Sequence, residues 1–490
     1  MLPIGELIRW GLMQLTLREV AGLLGASCDA PGRIANNYSM DSRTLGPGSL
    51  FFAIRGPHFD GHDFVGQAFG RGAVGAVVER SFAARLEAGE PGAPAWASGL
   101  IPVHDTTSAL QDLARAVRRR WGRRLVAVTG STGKTTTKEL IAAALSTRFA
   151  THKSSGNLNN QYGVPLALLA LEPAHEIAVL ELGMSAAGEI AQLARISAPQ
   201  IGVVTNVAAA HLQFFSSVDA IAAAKHELIE ELKNPATAVL NCDDERVRRF
   251  AEGFAGQVIT FGFGESAAVR ASNFRLEAGE KPEISRSTFW ARTPSGAAQI
   301  ELSLPGRHNA ENALAAIAVA EVAGIPLDAL VETFRHFRPL HQRTEVLNVL
   351  GAVVINDSYN SNPRAMEQML DVLAAWPRAA RRIVVAGQML ELGPGSPELH
   401  RDVGRRCFEA GVDFLIGVQG DARYLVEGAV AAGMSAERTR FFVDSTEAGQ
   451  LCSEIIGPGD VILVKGSRAV RLEAVVDLLK KGVASVHNPF

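Results

Sequence analysis

Apolar positions along this chain fall into two rhythms. Short, nearly unbroken apolar runs read as buried strands: LVAVT ending at Thr129, EIAVLE ending at Glu181, and IGVVT ending at Thr205. Between them lie stretches with apolar residues at helical spacing, such as KELIAAALS from Lys138 and VDAIAAAKHELIEEL from Val218. Strands that are apolar on both faces and alternate with helices predict a parallel sheet covered on both sides, an α/β fold. TAVLNCDDERV adds a strand with Asp243 and Asp244 at its end, and residues 257–304 read as β-rich. LPGRHNAENALAAIAVAEVAG then predicts a helix through Asn309 and Asn312, closed by Gly324 and Pro326.

The rhythm divides the chain into three units, 1–122, 123–339 and 340–490. In the first, LTLREVAGLLGA predicts a helix ended by glycine. Turn residues from Asp41 to Gly48 then lead into a strand Leu50–Ile54, and another strand follows at Ala73–Val78. The third unit alternates again: AVVIND, NPRAMEQMLDVLAA, RRIVVAG, ELHRDVGRRCFEAG, DFLIGV and GDVILVKGS. This order is Rossmann-like but lacks a G-x-G-x-x-G, so a dinucleotide site is not indicated. A length of 490 residues is more than one ordinary core accommodates, which agrees with several units.

Composition narrows the function classes. The net charge of −3, without a long basic run, gives no reason to expect nucleic acid. The densest positive stretch, RRRWGRR at Arg118–Arg124, fits a domain junction or attraction for polyphosphate equally well. No run approaches the ~20 apolar residues of a membrane span, and MLPIGELIRWGLMQ is broken by charges. Cys28, Cys242, Cys407 and Cys452 are scattered, without a C-x-x-C pair. The expectation is a soluble cytoplasmic protein without membrane insertion, and a monomer.

The chemistry centres on TGSTGKTTTKE. A strand ending at Thr129-Gly130, a glycine loop and a following helix form a phosphate cradle. Glycines let backbone N–H groups approach phosphate oxygens, and the helix N-terminus adds partial positive charge. Lys134 would reach the outer phosphates and the Thr135 hydroxyl would meet Mg²⁺. The general pattern G-x-x-x-x-G-K-[ST] wants glycine where Val128 stands, so the match is to a shorter variant, G-S-T-G-K-T. Glu181 exits the next strand where a carboxylate can hold Mg²⁺. His211 lies past a strand end, the side on which ligands bind open α/β sheets. On residue type alone His211 reads equally as structural, and Lys225 as the polar face of an alanine-rich helix. Asn157, Asn159 and Asn160 offer donors and acceptors. Ser42 and Arg43 sit in a turn that suits a phosphate or, more simply, solvent. Further polar groups cluster at strand exits of the third unit: Asp357, Tyr359 and Asn360, then Gln388, Glu391 and His400, then Lys465, Gly466, Ser467 and Arg468.

In order, TGSTGKTTTKE, GNLNNQYGVP, ELGMS, NVAAAHL, AAAKHEL, LPGRHNAENALAA, NDSYNSNP, AGQMLELG with SPELHRDVG, and VKGSRAVRLE resemble the Mur ligases over nearly the whole chain. GNLNNQYGVP, DSYNSNP and MLELG…H…VG point to the branch that adds a D-Ala-D-Ala dipeptide. The resemblance implies a three-domain α/β architecture: an N-terminal UDP-sugar-binding domain, a central P-loop parallel-sheet ATPase domain, and a Rossmann-like C-terminal domain closing over the nucleotide. It implies an ATP-dependent ligase joining D-Ala-D-Ala to UDP-MurNAc-tripeptide through an acyl phosphate, in cytoplasmic peptidoglycan precursor synthesis. Gly130, Ser131, Thr132, Gly133, Lys134, Thr135 and Thr136 would bind ATP, with Asn309 or Asn312 at the adenine. Arg343, Asp357 and Tyr359 would meet the ribose and phosphates.

By the same resemblance Thr135 and Glu181 would hold one Mg²⁺, and His211 a second. Lys225 stands where relatives carry a carbamylated lysine; with Lys134 and His211 it makes up the expected catalytic set. Ser42 and Arg43 would face the uridine nucleotide, and Asn159 and Asn160 the sugar-peptide. Two positions depart from the family pattern: Gln388 replaces an expected aspartate, and His341-Gln342 precede Arg343 where glycine is usual. The alternatives are a sister ligase adding one amino acid, a folylpolyglutamate synthetase-like enzyme, or a non-catalytic nucleotide-binding protein. Intact Lys134, Thr135, Glu181, His211 and Lys225 speak against the last.

Overall fold

The computed structural model describes residues 14–88, 94–277, 279 and 285–487, so the reading of residues 1–13 lies outside it. Among the described residues the strands form four sheets, one of them a two-stranded ribbon. That ribbon pairs Leu15–Thr16 with Ile34–Ala35. It feeds helix Leu17–Leu23 through a capping box: the Thr16 hydroxyl accepts from Glu19 N at 3.2 Å, and the Glu19 carboxylate accepts from Thr16 N at 2.8 Å.

The first unit's parallel sheet runs Asn37–Ser39, Ser49–Phe52, Gly75–Glu79, Leu100–Val103. The strand expected at Leu50–Ile54 ends at Phe52 because Ile54 N turns back onto the Phe52 carbonyl at 2.9 Å. Helix Thr106–Trp121, capped by Asp105 and ended by Gly122 at φ 66°, closes the unit. Its buried Arg118 donates to the carbonyls of Ser197 at 2.6 Å and Ala198 at 2.9 Å. This arginine therefore ties the first unit to the second, and the polyphosphate alternative is excluded for it.

The central sheet has nine strands, in the order Gly296–Leu302, Arg286–Thr293, Val269–Glu277, Gln257–Gly262, Thr237–Asn241, Ile201–Val204, Arg124–Thr129, Ile177–Glu181, Thr151–Lys153. It is parallel from Thr151–Lys153 as far as Val269–Glu277, and antiparallel across the last two pairs. The expected parallel sheet thus carries an antiparallel extension, because the tight turn between Thr293 and Gly296 permits only a hairpin. Period-2 alternation splits the central strand between two cores. Leu125 and Ala127 pack with Leu110, Leu113 and Val164, whereas Val126 and Val128 pack with Ile141 and Leu314. On the second face helix Lys134–Leu145 lies against helix Arg307–Val322. The fully buried alanines Ala310, Ala313, Ala316 and Ala320 keep that second helix slim.

The third unit's six-stranded sheet runs Glu345–Val349, Ala352–Asp357, Val461–Lys465, Arg382–Gly387, Phe414–Val418, Thr439–Phe442. All pairs are parallel except the first, an edge hairpin turned at Leu350-Gly351. The strand exits of the second and third units face one cleft. No helix among the described residues is long and apolar enough to cross a membrane.

Candidate active site

The cleft, of about 490 Å³, is walled on one side by the central unit and on the other by the third. The central wall starts with the loop after Thr129. Gly130 has φ 149°, and a Cβ there would lie 1.8 Å from Thr205 Oγ1, so only glycine fits between the two strand exits. Gly133, at φ 78°, would put a Cβ 2.4 Å from Asn312 Oδ1. The segment after Ile201–Val204 splints the loop: Thr205 Oγ1 donates to the Thr132 carbonyl at 2.7 Å, and Asn206 Oδ1 accepts from Thr132 N at 2.9 Å. Ser131 Oγ accepts from Ala208 N at 2.9 Å. Lys134, at the start of helix Lys134–Leu145, donates to the Gly130 carbonyl at 2.8 Å.

Glu181 is buried, and both its oxygens are engaged. Oε2 accepts from the Thr135 hydroxyl at 2.7 Å, and Oε1 accepts from Asn159 Nδ2 at 2.8 Å. Asn159 therefore positions the carboxylate besides lining the cleft. Asn160 is exposed, and its Oδ1 accepts from Gly163 N at 2.9 Å, tying it to the first residue of helix Gly163–Leu169 while the residue also lines the cleft. Lys225, on helix Val218–Glu230, points inward rather than onto a polar helix face and is 2% exposed. Burial, with the Lys134 ammonium nearby, pushes its amine well below the ordinary lysine value. Burial also lowers Lys134, with Glu181 opposing and Arg343 adding to the shift. Lys134 thus has the Arg343 guanidinium facing it across the cleft, an arrangement suited to a polyanion.

His211 lines the cleft in the left-handed region at φ 59°, its Nδ1 2.5 Å from Glu391 Oε2 of the third unit. Asn309 and Asn312 project from helix Arg307–Val322. Asn309 Nδ2 donates to the Pro305 carbonyl at 2.9 Å, and Asn312 Oδ1 accepts from Thr137 Oγ1 at 3.1 Å. Asn312 thus ties its helix to the one bearing Lys134, Asn309 accepts from Asn312 Nδ2 at 3.3 Å, and both line the cleft.

On the opposite wall the Arg343 guanidinium stacks over the Tyr359 ring, 4.1 Å from its centroid. Asp357 Oδ2 accepts from Lys465 Nζ at 2.5 Å, and Oδ1 accepts from Thr344 N at 2.9 Å. Burial alone would raise this carboxyl, but Lys465 and the Thr344 amide hold it below the ordinary aspartate value. Gln342 and Thr344, on either side of Arg343, have φ 61° and 51°. The glycine usual before such an arginine is thus replaced by a residue in the conformation glycine favours. Gln342 is anchored there: its Oε1 accepts from Arg468 at 2.9 Å and its carbonyl from Tyr359 N at 3.2 Å.

The cleft brings together Ser131 to Thr136, Asn159, Asn160, Glu181, His211, Lys225, Asn309, Asn312, Arg343, Asp357 and Tyr359. Gly130 lies at its base through Lys134. Ser42 and Arg43 do not join it. The Ser42 hydroxyl donates to Gln67 Oε1 at 2.7 Å, and the exposed Arg43 pairs with Asp41 at 2.9 Å. Gln388 packs against Gly420, outside the lining residues. Lys465 and His308 are among the members that sequence reasoning passed over. Lys465, noted only as a polar strand exit, faces Asp357. His308, held to about 4 by burial, was signalled by its place beside Asn309.

Comparison with known proteins agrees with this layout. Family models match in chain order: "Mur ligase family, catalytic domain" over 35–118, "Mur ligase middle domain" over 128–320, and "Mur ligase, glutamate ligase domain" over 342–468. A UDP-N-acetylmuramoyl-tripeptide–D-alanyl-D-alanine ligase of Synechocystis sp. is 36% identical over 91% of this chain and 92% of its own length. The chain belongs to the Mur ligase family. Among solved structures this Mur ligase is similar to MurF from Acinetobacter baumannii, with TM-score 0.84 and 30% identity over 96% of this chain and 99% of that one. It is also similar to MurF ligase from Thermotoga maritima in complex with ADP, with TM-score 0.79 and 27% identity over 92% and 98%.

Proposed function

We propose that this Mur ligase joins D-Ala-D-Ala to UDP-MurNAc-tripeptide, with ATP as phosphoryl donor and ADP and phosphate as products. The reading assigns 1–122 to the UDP-sugar, 123–339 to ATP and 340–490 to closure over the nucleotide. The observation that carries it is the convergence of Lys134, the Thr135–Glu181 pair, Lys225 and His211 on one cleft, opposite Arg343 and Lys465. A binding module has no use for that combination. The dipeptide as second substrate follows from the relatives, which bear that activity in their names.

The tripeptide's terminal carboxylate attacks the γ-phosphorus of ATP, the bond to the β–γ bridging oxygen breaks, and ADP leaves. Lys134 and the loop amides offset charge on the phosphoryl oxygens, and Arg343 does so from the facing wall. The dipeptide amine then attacks the acyl carbon of the acyl phosphate. The tetrahedral intermediate loses its proton, breaks the C–O bond to phosphate, and leaves the amide. Asn309 or Asn312 serves the adenine, Arg343, Asp357 and Tyr359 the ribose and phosphates, Asn159 and Asn160 the sugar-peptide, and Ser42 and Arg43 the uridine nucleotide.

One hydroxyl and one carboxylate, each hydrogen-bonded in place, suit Mg²⁺, which keeps waters and takes phosphate oxygens as further ligands. Burial holds the Lys225 amine well below the ordinary lysine value, so it gives up its proton more readily, which lowers the barrier to taking up carbon dioxide. Two Mg²⁺ ions, one held by Thr135 and Glu181 and one by His211 with a carbamylated Lys225, would neutralise charge on the phosphates and acyl oxygen. ATP and a UDP-sugar as substrates imply a cytoplasmic reaction.

The test is phosphate release from ATP and Mg²⁺ with UDP-MurNAc-tripeptide, with and without D-Ala-D-Ala. Dipeptide-dependent release with a UDP-MurNAc-pentapeptide product is expected, and Lys225→Arg, which cannot form a carbamate, should lose it. Release stimulated by a single amino acid instead would make the chain a sister ligase.

A further inference from the structure

The imidazole of His211 receives its partner from another unit. Its Nδ1 lies 2.5 Å from Glu391 Oε2, across 180 residues of sequence. The carboxylate has no proton to give, so Nδ1 is the donor, and in the neutral ring, which lines the cleft, Nε2 is left as the acceptor nitrogen. The two loops are fitted to each other beyond this pair. Gln213 N donates to the Glu391 carbonyl at 3.0 Å. A Cβ on Gly393 would come within 3.1 Å of Gln213 Cα and the Leu212 carbonyl oxygen. His211 and Glu391 both occupy left-handed backbone, at φ 59° and 63°, a conformation that needs outside support in non-glycine residues.

The Glu391 loop is itself held from beneath. Fully buried His400 accepts from Met389 N through Nε2 at 3.0 Å and donates from Nδ1 to the Ser396 carbonyl at 2.7 Å. Ser467 Oγ accepts from Leu390 N at 3.0 Å. Two backbone amides just before Glu391 are therefore fixed by side chains of the third unit, and Glu391 is presented rather than left to search.

We propose that Glu391 is a positioning residue that fixes the tautomer and orientation of His211, so that the central unit's histidine is set for its task only by the third unit. The proposal rests on the cleft being the ligase site described above, and it deepens that reading. A carboxylate on the far nitrogen of a ligating histidine fixes the ring and raises its basicity, and losing such a partner costs about 10- to 100-fold in activity or metal affinity.

The test compares Glu391→Ala and Glu391→Gln with the parent enzyme. Glu391 is exposed, so neither change threatens folding. Glu391→Ala should lower kcat about 10- to 100-fold, with KM for ATP and the affinity for ADP within about twofold. Glu391→Gln, whose amide oxygen still accepts from Nδ1–H, should recover most of kcat. Nitrogen-15 spectra of the imidazoles should show His211, assigned by its loss in His211→Gln, as the Nδ1–H tautomer in the parent and Glu391→Gln. In Glu391→Ala it should become a mixture. An unchanged tautomer and kcat in Glu391→Ala would overturn the proposal, and so would a loss confined to ADP affinity. If the parent shows no dipeptide-dependent turnover, the ligase reading fails while the spectra still decide whether Glu391 sets the ring.

Discussion

The central and third walls of the cleft use similar groups, a cation or carboxylate held by one close partner, yet anchor them over very different lengths of chain. On the central wall Lys134 is held by the carbonyl of Gly130, four residues earlier, and Thr135 by Glu181, 46 residues on. On the third wall Lys465 meets Asp357 across 108 residues. The two walls are joined by His211 and Glu391, 180 residues apart. The central wall is thus built on a strand, its loop and the two neighbouring strand exits of one sheet, with Lys225, Asn309 and Asn312 added from helices that pack on it. The facing wall depends on a separate sheet being folded and docked. Local anchoring makes the first wall a rigid scaffold, and long-range anchoring makes the second sensitive to single losses.

The largest effect should come from the first wall. Lys134→Ala is expected to reduce dipeptide-dependent phosphate release about 100- to 1,000-fold. The change should leave the unfolding midpoint within a few degrees, because the loop keeps its Thr205 and Asn206 splints. A large fall in stability would show that the lysine, rather than those splints, holds the loop.

On the facing wall the same kind of change should appear first as stability. Asp357→Asn leaves Lys465, 3% exposed, without its carboxylate, and removing one partner of a buried pair costs about 3–5 kcal/mol. The folded carboxyl of Asp357 titrates below its unfolded value, so its contribution is complete above about pH 4 and fades as pH falls through the lower folded value. Urea unfolding of parent and variant should therefore differ most near neutrality and converge in acid. A constant difference across that range would mean that Lys465 draws its support from elsewhere.

The smallest effect is expected at Gln342, just before Arg343. Gln342→Gly relieves left-handed strain of about 1 kcal/mol, loses a hydrogen bond of about 1 kcal/mol, and loosens the unfolded chain. Thermal unfolding should shift by only a few degrees. A large destabilisation would mark the Arg468 contact as the main anchor of the segment around Arg343.

Legibility in the sequence followed the same division. TGSTGKTTTKE announced its own strand, loop and helix, and the carboxylate at the end of EIAVLE lay one sheet position away, so the central wall could be read from pattern and spacing. Asn160 was read as a ligand-facing residue and also holds the backbone N–H of Gly163, three residues on, a contact within reach of local spacing. Asn159 proved to hold Glu181, which no local spacing indicates. Glu391 and His400 stood in recognised motifs, but nothing near them in the chain pointed to the loop around His211.

What the sequence determined by itself was whatever depends on period and on short-range sterics. It separated three α/β units and set the buried faces of their strands, whereas glycine at positions 130 and 133 answers to Thr205 and Asn312, far along the chain. The tertiary structure decided which exits meet: Lys465 with Asp357, His211 with Glu391, and Arg118 with the carbonyls of Ser197 and Ala198. The physical reason is that a strand's alternation is written in each pair of residues, whereas a contact across 108 or 180 residues exists only once separate hydrophobic cores have formed and packed.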